Sequence, residues 1–540
     1  MNSTSAAPHR WAPRRERSRC GPRSHIIILS LVILSTLLGT ASRADIRLPA
    51  LVGDNMVLQA GGRASLWGWA DPNEEIRVQV SWRTVDWTIQ ADSAGQWIFQ
   101  MTAPEVGGPY EITLSGKNTV TIKNILAGQV WVCSGQSNMQ MAARGAANAE
   151  QEIAAAKYPQ IRLFTVERTV SEKPLDDCKG RWVECSPETV GDFSAAGYFF
   201  GRELHQQLRQ PIGLIHSSWG GTPAEAWTSM TALQENPNLE PILMRYRQAL
   251  AEYPKAAAKY KEDLVKWQEA VKQAKAKGKP APRQPGEPMG PHHPHSPAGL
   301  FNAMIAPLTP CTIRGAIWYQ GESNAGRAYQ YRDLFPTMIK SWWDSWGPRE
   351  QTDFPFLFVQ LANFMAVKDE PGDSTWAELR EAQLMTLELP NTCMAVIDDI
   401  GEANNIHPKN KQDVGKRLAL WALANTYDRD VVYSGPLYKS MEKRGNQIAL
   451  SFNHVAGGLV AKGGEALKGF AIAGADRKFV WAGAKIEGDR IVVSSEQVAD
   501  PVAVRYAWAD NPVCNFYNKA GLPASPFRTD TWPGITANSK

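Results

Sequence analysis

Cysteine is scarce in this chain, 7 in 540 residues, and no two stand as C-x-x-C or at zinc-binding spacing. That excludes zinc fingers and thioredoxin-like redox centres, and no metal or cofactor is expected. No internal repeat recurs, which excludes solenoids and propellers. Long apolar runs are missing too: the one sustained stretch, Ile26 to Leu38, is too short for a comfortable transmembrane helix. Nor is one sign of charge in excess. The full chain carries +4, but residues 1–44 hold seven arginines and one glutamate, which leaves 51 basic and 53 acidic side chains and a net of about −2 for the rest. No nucleic-acid footprint remains.

What is present first is an export signal. Arg10, Arg14, Arg15, Arg17, Arg19 and Arg23 form a basic region ahead of the apolar run, and Ser42-Arg43-Ala44 ends in small residues at signal-peptidase positions. Apolar residues are lacking after Arg14-Arg15, which favours the general secretory route over the twin-arginine one. The expectation is a signal peptide over 1–44 and a secreted or periplasmic protein, with no stable membrane insertion after cleavage. Cys178 and Cys185 flank a turn-like segment and could form a disulfide after export. Cys133, Cys311 and Cys393 lie in apolar runs and read as buried thiols. Twenty tryptophans is a high count; exposed ones would suit sugar stacking, whereas buried ones would be core.

Three regions follow. Residues 45–125 alternate with a period of two, in runs such as Ala64–Trp69, Ile76–Trp82 and Val120–Ile125 separated by turn residues, and predict a small β-sandwich. Over 126–428 strand candidates (Val130–Cys133, Ile161–Val166, Ile212–Ser217, Ile313–Tyr319, Phe356–Leu361, Thr392–Ile397) alternate with helical patterns (Ala195–Leu208, Tyr329–Trp343, Trp376–Glu388, Lys411–Thr426). This order predicts an α/β domain with a parallel sheet, helices on both faces, and a site at the carboxyl ends of the strands. An insertion over 234–298 contains a charged surface helix or helical hairpin, then a Pro/Gly-rich loop carrying His292-His293-Pro294-His295. That loop reads as solvated rather than metal-binding, because carboxylate partners are missing. Residues 429–540 return to strand periodicity as a second β module.

Four segments fall at strand exits. Ser137 follows Val130–Cys133 on a strand-to-helix turn, where free N–H groups can stabilise an oxyanion and a serine can act as nucleophile. Its setting, GQSNM, lacks the second glycine of G-x-S-x-G, which disfavours an α/β-hydrolase. Gly220-Gly221, after Ile212–Ile215, lets backbone approach a ligand closely. Gln320, Glu322 and Asn324 place two amides and a carboxylate at the exit of Ile313–Tyr319. His407 lies on a polar loop after Thr392–Ile397, and is the one histidine that joins a strand exit to possible orienting groups.

With DNMVLQ at 54–59, SGQSNM at 134–139, WGGT at 219–222, WYQGESN at 318–324, WAELREAQ at 376–383, IHPKNK at 406–411 and LPASPFR at 522–528, the chain resembles the sialate O-acetylesterase-type family of the SGNH (GDSL-like) hydrolase superfamily. The resemblance implies a flavodoxin-like three-layer catalytic domain flanked by β modules. It also implies a metal-free serine esterase acting on an O-acetylated sugar or glycan. It makes Ser137 the nucleophile, His407 the base, and Gly220-Gly221 with an amide of Asn324, or else Gln320, the oxyanion hole. The simpler superfamily pattern has an aspartate three residues before the histidine; here Asn404 stands there, followed by Asn405. Glu322, Asp399 and Glu402 are the candidates for the third triad member, Glu322 first. Acetylxylan or another polysaccharide is the alternative substrate; a non-catalytic sugar-binding protein and a lipase or thioesterase rank below. Arg144, Arg327 and Arg380 lie near motifs, and none is assigned to a sialic acid carboxylate.

Overall fold

The computed structural model describes residues 45–347 and 354–540; the expected signal peptide lies outside them. Its central feature is one long strand, β1 (Thr119–Gly135). The first half of β1 pairs antiparallel with Gly107–Ser115, and its second half lies in a parallel sheet. The boundary expected at residue 125 therefore falls inside a continuous strand, because Val120–Ile125 and Val130–Cys133 are two halves of it. The sheet continues through β2 (Tyr158–Thr165), β3 (Trp182–Cys185), β4 (Ile212–Ser218), β5 (Gly315–Tyr319), β6 (Phe356–Val359) and β7 (Thr392–Ala395). Its order is β7-β6-β5-β1-β4-β2-β3, parallel throughout except for β3. Strand order reverses about β1, and ligand sites of open parallel sheets form at such switch points.

The longer helices among the described residues are α1 (Ala195–Leu208), α2 (Glu240–Ala276), α3 (Ala328–Trp346), α4 (Thr375–Met385) and α5 (Lys411–Asn425). Side-chain caps start three of them: Ser194 accepts from Gly197 N–H, Ser374 from Ala377 N–H and Asn410 from Asp413 N–H. Register sorts the faces. Cys133 aligns with Ile317 and Ser134 with Trp318, so residues in register share a face. Trp131 and Cys133 look toward α1, where Trp131 meets Phe200 edge-on. Trp318 looks the other way, onto Phe335 and Trp342 of α3. Helices thus cover both faces, as the β/α alternation requires.

One hydrophobic core runs without a break from Ile46 through the sheet to Leu423, so the N-terminal strands and the α/β body share it. A second core, Ile448 to Phe527, lies among the C-terminal strands, whose two four-stranded sheets are antiparallel where paired. The first of them includes Leu437–Arg444, mostly exposed and without the apolar alternation that would have marked it. The tryptophans contribute to the core: Trp131, Trp227, Trp318 and Trp342 are fully enclosed. In the insertion, α2 is a single 37-residue helix, not a hairpin. Cys178 and Cys185 are both free thiols, so the disulfide that export would permit is not formed in this structure; Cys185 is buried in β3.

Candidate active site

The ends of β1, β4 and β5 are bonded together at Gly135. Its φ of +136° and its contact with Tyr319 leave no room for a side chain, which would collide with the Tyr319 carbonyl. Gln136 N–H donates to that carbonyl at 2.9 Å, and Trp219 N–H donates to the Gly135 carbonyl at 3.2 Å. The helical turn Ser137–Gln140 begins there, and its first N–H groups have no acceptor within the turn. Ser137 is half-buried. Gly220 lies against it: a Cβ on Gly220 would stand 3.2 Å from the Ser137 Cβ, closer than an ordinary contact, so a side chain there would displace the serine turn slightly.

Asn138 is the junction of the site. Its amide nitrogen donates to Glu322 Oε1 at 2.6 Å and to the Ile406 carbonyl at 3.0 Å. Its amide oxygen accepts from Lys411 Nζ at 2.7 Å, and Lys411 also donates to the Pro408 carbonyl at 2.8 Å. The residues on either side of His407 are thereby fastened to the residue after Ser137. Inside its own loop His407 is held by its backbone: its N–H donates to Asn405 Oδ1 and its carbonyl accepts from Asn405 Nδ2. The His407 ring makes no hydrogen bond among the described residues. Burial, then the nearby charge of Lys411, lowers its pKa below the ordinary 6.5.

The proposed oxyanion donors differ in availability. Gly220 N–H donates to Gln140 Oε1 at 2.6 Å, so a ligand must displace that side chain to reach it. Gly221 has φ +77° and is exposed. Asn324 is buried; its oxygen accepts from Ala224 N–H and Gln320 Nε2, and its nitrogen donates to Glu225 Oε2 at 2.9 Å. That leaves one amide hydrogen of Asn324 without an acceptor among the described residues. Gln320 is fully enclosed, with both amide hydrogens donated, to the Thr222 carbonyl and to Asn324, and its oxygen accepting from Tyr331. It braces the exit of β5.

The three candidate carboxylates are held differently, and none bonds to the His407 ring among the described residues. Asp399 is in a buried bidentate pair with Arg417 and accepts from the Tyr517 hydroxyl, which together hold its carboxyl below the ordinary range despite burial. Glu402 shapes the histidine loop by accepting from Lys409 N–H and Asn405. Glu322 keeps Oε2 buried without a partner, and burial pushes its carboxyl upward against the pull of Asn138 and Lys411. The histidine loop of the insertion is not simply solvated: His293 and His295 are half-buried edge-to-face at 4.7 Å, and His295 lies beside the Gly221 backbone. The arginines separate as well. Arg144 is exposed and paired with Asp192; Arg380 is fully buried, donating to the carbonyls of Leu361, Ala362, Ala509 and Asp510; Arg327 is partly exposed and pairs with Glu225.

Sequence reasoning did not single out Asn138, Gln140, Glu225 or Lys411. The available signal was polar residues inside the motif blocks themselves: Asn138 and Gln140 follow Ser137 on its turn, and Lys411 opens α5 four residues after His407.

The chain matches the model of the family described as carbohydrate esterase, sialic acid-specific acetylesterase, over residues 127–276 and 296–424. It is similar along nearly its whole length to the sialate O-acetylesterases of Rattus norvegicus (31% identical, covering 94% of this chain and 98% of the relative) and Homo sapiens (30%, 95% and 98%). Among solved structures it resembles a carbohydrate acetylesterase from Xanthomonas citri: 38% identity, TM-score 0.76, covering 90% of this chain and all of that one. The parallel sheet with its switch point at Ser137 thus sits in a chain that belongs to the sialic acid-specific acetylesterase family of carbohydrate esterases.

Proposed function

We propose that this protein is a sialate O-acetylesterase of SGNH type that hydrolyses O-acetyl esters on sialic acid by a serine mechanism. The observation that carries the reading is the Asn138 junction, which fastens the serine turn, the exit of β5 and the histidine loop to one another. In this mechanism Ser137 Oγ attacks the acetyl carbonyl while neutral His407 takes its proton. The Ser137 and Gly220 N–H groups and the free hydrogen of the Asn324 amide hold the tetrahedral oxyanion, Gln140 having released Gly220. His407 protonates the departing sugar oxygen, and a water then deprotonated by His407 releases acetate and restores Ser137. Glu322, the candidate carboxylate with an unpartnered oxygen, supplies negative charge to the developing imidazolium; near-wild-type turnover by Glu322→Gln would remove it from that role.

The test is acetate release by residues 45–540 and by Ser137→Ala, on O-acetylated sialic acid and acetylated xylan side by side. The expected result is release from the sialic acid that Ser137→Ala abolishes. A preference for xylan would favour neutral-polysaccharide deacetylation, which the broader description of the Xanthomonas citri structure also accommodates. We further propose export through the leader over residues 1–44, checked by N-terminal sequencing: an intact Met1 on exported protein would refute it.

A further inference from the structure

Next to the oxyanion side of the site lies a cluster whose donors outnumber its acceptors. Glu225 is its one buried carboxylate, with Oε2 taken by the Asn324 amide and Oε1 by Arg327 Nη2, each at 2.9 Å. Arg245, reaching in from the insertion helix α2, donates through Nη2 to Gln330 Oε1 at 3.3 Å. Three further donors have neither partner nor solvent: Arg327 Nε, Arg245 Nη1 and Gln330 Nε2. Only Arg327 bonds that carboxylate, and burial, then the charge of Arg327, brings the Arg245 guanidinium below its ordinary value. His295 lies near Glu225 and Arg327 too, but burial lowers its pKa and favours the neutral ring, so it adds no charge of its own. Buried donors without acceptors are costly, and such a deficit is relieved by an anion.

The deficit has a direction. Arg327 and Asn324 grip opposite oxygens of the same carboxylate, so the guanidinium stands one carboxylate's width from the amide proposed to bind the acetyl oxyanion. Arg327 Nη1 makes no hydrogen bond among the described residues, and its side chain is 29% exposed, so an entering ligand can reach it. Arg380 and Arg144, by contrast, are a buried brace and an outward ion pair.

We propose that Arg327, backed by Arg245 and Gln330, forms the subsite that binds the carboxylate of the sugar whose acetyl group is being removed. The proposal rests on the sialate reading above and deepens it, because a carboxylate bonded here distinguishes an acidic sugar from a neutral one at the edge of the catalytic centre. A planar guanidinium suits a carboxylate, and charge-assisted bonds of this kind discriminate strongly against a ligand that lacks the charge.

The experiment compares acetate release from 9-O-acetyl-N-acetylneuraminic acid with release from the same sugar carrying a carboxamide at C1. The unaltered enzyme is expected to prefer the acid by roughly ten- to a hundredfold in kcat/KM, mostly through KM. In Arg327→Gln that ratio falls to near one, whatever the absolute rate, since any disturbance passed through Glu225 slows both substrates alike. Equal use of acid and carboxamide by the unaltered enzyme overturns the subsite and leaves the esterase standing. A preference that survives in Arg327→Gln overturns the assignment to Arg327. No acetate from either form, with acetylated xylan still cleaved, overturns the sialate reading itself and the subsite with it.

Discussion

Lys411 is fully buried, and burial brings its ammonium down to about 7. It is therefore still charged over the range in which a histidine with a pKa below 6.5 titrates, and there it repels the proton on His407. The sign follows: a weakened imidazolium releases its proton at lower pH, so His407, in its proposed role as base, is ready earlier. The rising limb of kcat/KM against pH is expected to have its midpoint below 6.5, on the acid side of the ordinary histidine value. Lys411→Met removes the repulsion and should move that limb to higher pH while lowering kcat, because the Pro408 carbonyl and Asn138 Oδ1 lose their donor. A limb that stays in place would reduce Lys411 to a strut. Ser137 and His407 stand out in the sequence because each is a chemically distinctive residue in the segment after a strand pattern, and the structure places both segments at strand exits, tied together through Asn138. Lys411 does not: its partner Asn138 is 273 positions away, and only the folded sheet brings the two together. The carboxylates were ambiguous for the same reason, since only the fold shows that Arg417 already holds Asp399.

At the scale of elements, the site depends on how closely three strand ends approach, and two glycines govern that in different ways. At Gly135 a side chain would meet backbone on β5 and φ is +136°, so Gly135→Ala forces the β1 and β5 ends apart. Its expected effect is a fall in soluble yield and Tm together with activity. At Gly220 the added methyl would stand 3.2 Å from both Ser137 Cβ and Gln140 Oε1, which can give way. Gly220→Ala should fold with a nearly unchanged Tm and lose turnover, on the order of 100-fold if the N–H is displaced from the oxyanion. Paired thermal denaturation and acetate-release assays separate the outcomes; a Gly220→Ala enzyme of full activity would remove this turn from the oxyanion hole. The elements themselves were largely readable. Alternation located most strands of both β regions, and the expected helix over 195–208 is observed with the same ends. What periodicity could not show is continuity. Gly128 sits between two well-marked runs and looks like a break, yet β1 passes through it because Gln59 pairs with Gly128 and Ile212 with Gln129; Asn124, at φ +57°, makes a bulge within the first run without ending it. The histidine loop of the insertion misled in the opposite way: its polar, proline-interrupted sequence says solvent, and the fold lays it against Gly221.

Over the whole molecule, the C-terminal end of the chain is tied to the proposed active site through α4. Arg528 donates to Glu381 through Nε and Nη2, and the buried Glu378 accepts from the N–H groups of Ile535 and Thr536 and from the Thr536 hydroxyl. On the same helix, Gln383 donates to the Gln320 and Val359 carbonyls and accepts from Leu361 N–H, which positions the exits of β5 and β6. Arg380, between them, gathers carbonyls from both Leu361–Ala362 and Ala509–Asp510. A strap from the last residues, across α4, to the β5 exit is thus built entirely from polar contacts. Stripping the donors from a buried carboxylate costs roughly 1–3 kcal/mol per group, more when it is charged. Deleting residues 530–540 leaves Glu378 without those donors and is expected to lower Tm by several degrees. It should also lower kcat more than it raises KM, because the damage reaches the exit that carries Asn324 and not the outer rim. Glu378→Gln, which keeps the acceptor oxygen but not the charge, should show a smaller loss of the same kind. If the truncated enzyme melts and turns over like the full chain, the strap does not transmit to the site, and the β5 exit is held by its neighbouring strands and by Thr222, Ala224 and Tyr331.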